Sequence, residues 1–352
     1  MDYFNRVIDL ADFVTKVVDP KDLKWSWGEG LLMYSLSLLD KELNENRYFD
    51  FYKEYVDYHY EKGVNINRSN TCAPALITHE LYKKTKEEKY NKLTQEVVEY
   101  LINEPKLIED LPNHLGHSGT SKFYPKSIWI DSVVVFGIFS SVYARDVDDS
   151  LLIEKAVKHP RHFIKYLQNE ETKLLTHTYV QFLNEASPKN LYWGRGNGLM
   201  IFGLPIMISA IHDEENIKHL NEISNAILSY QREDYYFNTV INRSDSYRES
   251  SVTAFIASGW MQGVREGYLS EKFKAPAINA YKAIVENIAY KGDKVYLQEV
   301  SDVTYPIPLL PYRMRLGKYS GYKYVRKENN SSYGLAALFF ACLEYKKLIK
   351  SS

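Results

Sequence analysis

Residues 124–140 read YPKSIWIDSVVVFGIFS, and whether this run is helix or strand decides the fold class. A single aspartate, Asp131, interrupts apolar residues that begin at Ile128 and continue through Val133, Val134, Val135, Phe136, Ile138 and Phe139. The β-branched residues permit a strand. The run is long, however, and its neighbours on both sides are helical, so the pattern predicts a helix over 128–143. Asp131 suits the first turn of such a helix as a cap. It also suits chemistry. A carboxylate among apolar neighbours is costly to desolvate unless paired, hydrogen-bonded or protonated, and burial would raise its pKa toward the range of a general acid.

Outward from this run the pattern is helix after helix. Upstream, apolar periodicity predicts helices over 2–18, 28–43, 48–60, 74–82 and 86–102. Downstream it predicts 150–167, with Pro160 a kink or break, then 198–211, 215–231, 249–268, 273–290 and 333–349. Between them lie irregular stretches at 104–125, 168–193, 232–248 and 291–330, the last carrying Pro306, Pro308 and Pro311. About a dozen helices result, with hardly a convincing strand and no composition break, so one domain over 1–352 is expected. An open solenoid of helix pairs would show a fixed internal period. None is visible, which favours an all-α closed toroid of six helix hairpins. The long loops at 104–125, 168–193 and 291–330 are then expected at or near one mouth.

Composition narrows the function classes. Lys plus Arg number 44 and Asp plus Glu 45, a formal net charge of −1, which argues against a nucleic-acid binder acting through bulk charge. Cys72 and Cys342 lie too far apart in sequence to suggest a disulfide framework or a metal knuckle. The N-terminus, MDYFNRVIDLADF, lacks the basic and apolar regions of a signal peptide, and no stretch approaches the roughly 18 apolar residues of a membrane helix. A cytoplasmic protein with no membrane partner is expected. Thirty tyrosines and five tryptophans are compatible with a carbohydrate cleft, although any one ring is more often a core residue.

The densest local signal is Tyr192-Trp193-Gly194-Arg195-Gly196-Asn197-Gly198, placed just before the helix expected at 198–211. Its glycines let backbone and large side chains share a tight space. The arginine offers a planar fork to a carboxylate and the tryptophan a stacking face to a sugar. A nucleotide-binding GxGxxG loop does not fit, since the glycines fall at 194, 196 and 198 with no strand before them.

WGRGNG, together with WID (129–131), WSWGEG (25–30), APALITHELYKKTKEEKY (73–90), SSVTAFIASGWMQGVREGYL (250–269) and YGLAALFFACLEY (333–345), resembles the unsaturated glucuronyl and rhamnogalacturonyl hydrolases, glycoside hydrolase families 88 and 105. The pieces occur in the family's order across nearly the whole chain. The resemblance implies an (α/α)6 barrel and release of a 4,5-unsaturated uronic acid from the non-reducing end of short oligosaccharides, by hydration of the double bond. It implies Asp131 as the acid/base, and His177, Trp193 and Arg195 around the sugar, with Arg195 a candidate for the uronate carboxylate and Trp27 an aromatic near the mouth. No metal, nucleotide or organic cofactor is implied, and the oligomeric state stays open.

Two positions depart from the family's pattern. Asn70 stands about where a second aspartate is usual; it can hydrogen-bond substrate but cannot bear charge. Leu199 replaces a tryptophan, with loss of a stacking ring. Two rival functions follow. One is ordinary two-carboxylate hydrolysis on the same barrel, with Glu29 or Glu249 as second carboxylate; the other is a non-catalytic sugar- or protein-binding homologue. His114 and His117 have a spacing plausible for metal ligands, but no nearby cysteine or carboxylate pair completes a site, and a loop is the simpler expectation.

Overall fold

The computed structural model describes residues 2–306 and 319–350. Its helices are α1 Tyr3–Val17, α2 Trp27–Leu43, α3 Phe49–Lys62, α4 Ser69–Cys72, α5 Ala75–Thr85, α6 Glu88–Asn103, α7 Ser140–Val147, α8 Ser150–Leu167, α9 Gly194–Ala210, α10 Glu214–Leu228, α11 Ser250–Arg265, α12 Lys274–Glu286, α13 Ser320–Lys323 and α14 Ser332–Lys350. Leaving aside the short turns α4 and α13, twelve helices among the described residues alternate between two rings. Burial tells the rings apart: 14 of the 17 residues of α9 are buried, against 6 of the 18 in α8. An amphipathic helix covers one face of a core, whereas a helix apolar nearly all round must be enclosed. The enclosed helices α2, α5, α7, α9, α11 and α14 form the inner ring, closed by α14 against α2 and α11, and each outer helix packs on an inner one. This is the (α/α)6 toroid.

Very close inner-ring contact depends on glycine. A Cβ on Gly259 of α11 would stand 2.2 Å from the Ile201 carbonyl oxygen and 2.6 Å from its carbon, both rigid backbone of α9. Gly259→Val is therefore expected to lower stability by about 1–3 kcal/mol or more through overpacking. Thermal unfolding should show a clear drop in Tm, while Gly119→Ala, where nothing lies within 4 Å, should leave Tm nearly unchanged.

The run from 128 to 143 departs from the expected single helix. After the short antiparallel pair β1 (Lys106–Ile108) and β2 (Leu111–Pro112), it starts as strand β3 (Ser127–Trp129), tightens into a 3₁₀ turn (Ile130–Ser132), widens into a π-helix (Val134–Phe139) and only then becomes α7. All six π-helical residues are buried. The β-branched residues thus realise both readings in succession. Strand β3 pairs antiparallel with β4 (Thr178–Val180), which pairs with β5 (Glu185–Ser187). The other strands among the described residues are two- or three-residue pairs in the long connections. Two further expectations are corrected. The α8 helix runs continuously through Pro160 rather than breaking there, and α9 begins at Gly194, so WGRGNG is its N-cap and first turn rather than a preceding loop. Pro308 and Pro311 lie outside the described residues.

Candidate active site

Two local devices bring Asp131 and His177 together. Strand pairing sets Trp129 opposite Thr178, and the Ile130 N–H donates to the His177 carbonyl at 3.0 Å. From the other side, Asn197 in the first turn of α9 clasps the same loop. Its Oδ1 accepts from the Leu175 N–H at 2.9 Å, and its Nδ2 donates to the carbonyls of Leu175 (2.8 Å) and Trp193 (2.9 Å). The glycines beside it allow the approach, since a Cβ on Gly196 would stand 2.5 Å from Ile130 Cγ2 and one on Gly194 2.5 Å from the Asn238 carbonyl.

The outcome is a short relay. His177 Nε2 lies 3.1 Å from Asp131 Oδ2, and His177 Nδ1 lies 2.8 Å from the Tyr322 hydroxyl. The Asp131 side chain is 13 % exposed and that of His177 not at all. Burial alone pushes the Asp131 carboxyl up, but the hydrogen bond and charge from His177, then His114 and Arg195, outweigh it and hold Asp131 below its ordinary value. The raised pKa expected from the apolar neighbours is therefore corrected for the unliganded protein. Burial pushes His177 below its ordinary value despite Asp131, and pushes the Tyr322 phenol well up. These directions favour one set of proton positions at neutral pH. Asp131 is ionised, so Nε2–H donates to it; Nδ1 accepts from the Tyr322 hydroxyl. Asp131 is the middle residue of the 3₁₀ turn rather than its N-cap, a position that Trp129 holds.

Asp131 faces a cavity of about 700 Å³ that Trp27, Asn70, Trp193 and Arg195 also line. His177 stands behind Asp131, outside the lining. Residues from the loops at 104–125 (Leu115, Thr120, Phe123, Tyr124) and 291–330 (Val303, Thr304, Tyr305) complete the wall, and the loop at 168–193 supplies His177 beneath it. The described parts of the three long loops therefore meet at one mouth.

A continuous run of flat groups frames the cavity. Trp27 stacks on Tyr333 at 5.0 Å and 11°. The Arg195 guanidinium lies 4.3 Å from the Tyr333 ring centre and 4.8 Å from that of Trp193. Trp193 stacks on His177 at 4.1 Å, Trp129 meets His177 edge-on at 5.7 Å, and His114 stacks on Trp129 at 4.2 Å and 5°. Arg195 is 2 % exposed, and its end-on fork is occupied. Nη1 donates to the Ser301 carbonyl (2.9 Å) and hydroxyl (2.8 Å), and Nη2 donates to the Asp302 carbonyl at 3.2 Å. Only its side face is left, where Nε is buried without a hydrogen-bond partner. Ser301 is pinned a second time, by its N–H donating to Glu249 Oε1 at 3.0 Å.

Sequence reasoning passed over several of these groups. His114 does lie in a turn of the 104–125 loop, yet its side chain is fixed. It is buried, sits 2.8 Å from Ser132 Oγ, and burial holds it down to about 4, hence neutral. Among the described residues no three His, Cys, Asp or Glu side chains gather as metal ligands. Tyr322, Tyr333 and Arg68 gave no local signal, because their places depend on contacts across the barrel. Of the two rival carboxylates, Glu249 is spent as the N-cap of α11, accepting from the N–H groups of Ser251 and Val252. Glu29 lines the cavity with Asp131, and burial raises it above the ordinary carboxylate range. Leu199 lies fully buried in the core of α9, away from the cavity lining.

Residues 7–349 match the family model for Glycosyl Hydrolase Family 88. The chain is 25% identical over 290 residues to an unsaturated rhamnogalacturonyl hydrolase, YesR, of Bacillus subtilis, a match covering 80% of this chain and 82% of that protein. Among solved structures it is similar to a family 105 glycoside hydrolase of C. acetobutylicum (TM-score 0.86, 23% identity, 99% of this chain and 100% of the other). It also resembles the unsaturated glucuronyl hydrolase of Bacillus sp. GL1 (TM-score 0.74, 15% identity, 98% and 97%). At those identities the structural likeness carries the fold. No helix of the described residues is long and apolar enough to cross a membrane.

Proposed function

The chain belongs to glycosyl hydrolase family 88, and from that premise we propose that it releases a 4,5-unsaturated uronic acid from the non-reducing end of short oligosaccharides by hydrating the double bond, with Asp131 as acid and base. The observation that carries the reading is Asp131 on the cavity, hydrogen-bonded to a buried neutral histidine. The substrate brings a carboxylate into the cavity beside an ionised Asp131. A like charge there favours the protonated form of Asp131. The proton goes to C4 of the ring, and the resulting carboxylate of Asp131 takes a proton from the water that attacks C5. The hemiketal so formed opens and frees the following sugar. Throughout, Nε2–H of His177 can donate to Asp131 whenever it is charged. Trp27 and Trp193 offer stacking faces and Asn70 an amide to ring hydroxyls. Arg195 supplies positive charge from the wall, through its side face.

Glu29, on the same cavity and raised by burial, favours one second reading, displacement at the anomeric carbon with Glu29 as acid. Substrate choice separates the two. Hydration requires the alkene, so the matching saturated uronyl disaccharide should be inert, and reaction in D2O should place deuterium at C4. Turnover of the saturated disaccharide would overturn hydration.

The relay makes a pH prediction of defined sign. The Tyr322 hydroxyl donates to Nδ1 and thereby keeps Nε2–H on Asp131, which depresses its pKa. Tyr322→Phe removes that constraint, so the Asp131 pKa should rise. If protonated Asp131 is the reactive form in the bound complex, the alkaline fall in kcat should move to higher pH. A profile identical to that of the parent would remove Tyr322 from the relay.

A further inference from the structure

A second arginine stands on the cavity with its charge uncommitted. Arg47, Arg145, Arg161, Arg232, Arg248 and Arg265 are ion-paired with carboxylates, and the fork of Arg195 is filled. Arg68 has no such partner among the described residues. It is half-buried, lines the cavity with Asn70 and Asp131, and its Nε is shut off from solvent without an acceptor. Holding a guanidinium in a partly desolvated wall without a partner is unfavourable. The arrangement makes sense if the partner arrives with the ligand.

The surroundings are built rather than accidental. The backbone around Arg68 is fixed: its N–H donates to Thr71 Oγ1 at 3.2 Å, and the neighbouring Ser69 N–H donates to the His114 carbonyl at 3.1 Å. Ser132 Oγ donates to Ser69 Oγ at 2.9 Å, which ties the turn α4 to the residue next to Asp131. The positive charge of Arg68 reaches His114 and helps keep it neutral. Lys24 adds a second, exposed cation to the same lining.

We propose that Arg68, supported by Lys24, is the binding residue for an anionic group of the substrate, a carboxylate or sulfate presented in the cavity. This rests on the hydrolase reading above and adds to it a recognition residue. A planar guanidinium can grip either oxyanion through two parallel N–H groups. Two sources present that chemistry: the carboxylate of the unsaturated ring, and an acidic substituent on the sugar that follows.

The test uses the full chain and the variants Arg68→Met and Arg68→Lys, with two unsaturated uronyl disaccharides whose second sugar is neutral or sulfated. Calorimetric titration with each disaccharide in an Asp131→Asn background, which holds turnover down, reads binding independently of turnover. Arg68→Met is expected to raise KM and Kd about tenfold or more while kcat changes by less than about threefold, the pattern of a lost uniform binding contact. Arg68→Lys should recover part of the loss. Weakening toward both disaccharides assigns the contact to the unsaturated uronate, and weakening toward the sulfated one alone assigns it to the second sugar. Kd and KM within about twofold of the parent for both, in a variant of unchanged Tm, overturn the proposal. If the parent turns over neither disaccharide the hydrolase reading fails, yet the titrations still decide whether Arg68 holds the anion.

Discussion

Asp131→Asn is expected to abolish nearly all turnover of an unsaturated uronyl disaccharide, with kcat lower by on the order of 10²–10⁴-fold. Asparagine keeps the shape of the side chain and a carbonyl oxygen that can still accept from His177 Nε2, now 3.1 Å from Asp131 Oδ2, so the fold and the relay geometry should survive. What disappears is the ability to give a proton to C4 and take one from water. Loss of the conjugated alkene's ultraviolet absorbance follows the reaction directly. KM should move little, because the substitution removes an interaction used in the transition state rather than in binding. A folded variant that consumes the alkene at the parental rate would place the acid/base elsewhere.

Arg195→Lys should produce the second large effect, by another route. The guanidinium makes three donations to Ser301 and Asp302 and lies between two ring faces. A lysine ammonium cannot span the same acceptors or present a plane to both rings. Hydrogen bonds involving a charged partner are worth about 1.5–3 kcal/mol each, so losing one of them in a buried wall should cost roughly 10–100-fold in kcat/KM. Tm should fall as well, because Ser301 and Asp302 belong to the wall itself. A lone KM effect with unchanged Tm would instead mean that Arg195 acts mainly on the substrate carboxylate. No change in either would remove it from the site.

Much of the fold was legible in the sequence because helical periodicity is a local property. The helices expected over 28–43 and 333–349 from their apolar faces are observed as Trp27–Leu43 and Ser332–Lys350. The errors fell where distant segments decide. Residues 127–129 form a strand because Thr178–Val180 lies alongside, some fifty residues away. Gly194, Gly196 and Gly198 look like helix breakers, yet they open α9, since the Asn238 carbonyl and Ile130 leave no room for a Cβ at the first two. At the site, Asp131, Trp193 and Arg195 stood out as polar or aromatic residues in unusual local company. Tyr322 did not, and His114 suggested only a metal-ligand spacing, as each acquires its place from a partner 145 or 18 residues away. Even the Asp131 pKa direction turned on His177 rather than on the valines beside it in sequence.

The π-helix at Val134–Phe139 gives chain length a role in aiming the carboxylate. Each of its turns takes up more residues than an α-turn, a geometry that amounts to slack stored between Asp131 and the helix that carries it into the inner ring. In an α-helix one residue corresponds to about 100° of rotation. The register of that buried segment therefore governs the bearing of everything upstream of it relative to α7. Strand β3 and the Asn197 clasp secure Asp131 and the His177 loop from the mouth side, while Tyr143, at the far side of the π-turns, is anchored to Gln95 and His79. The widened turns reconcile these two fixed ends, much as a coupling joins shafts that do not quite align. Among relatives, gains or losses of a single residue in this segment would be a means of re-aiming Asp131 without altering any residue that lines the cavity.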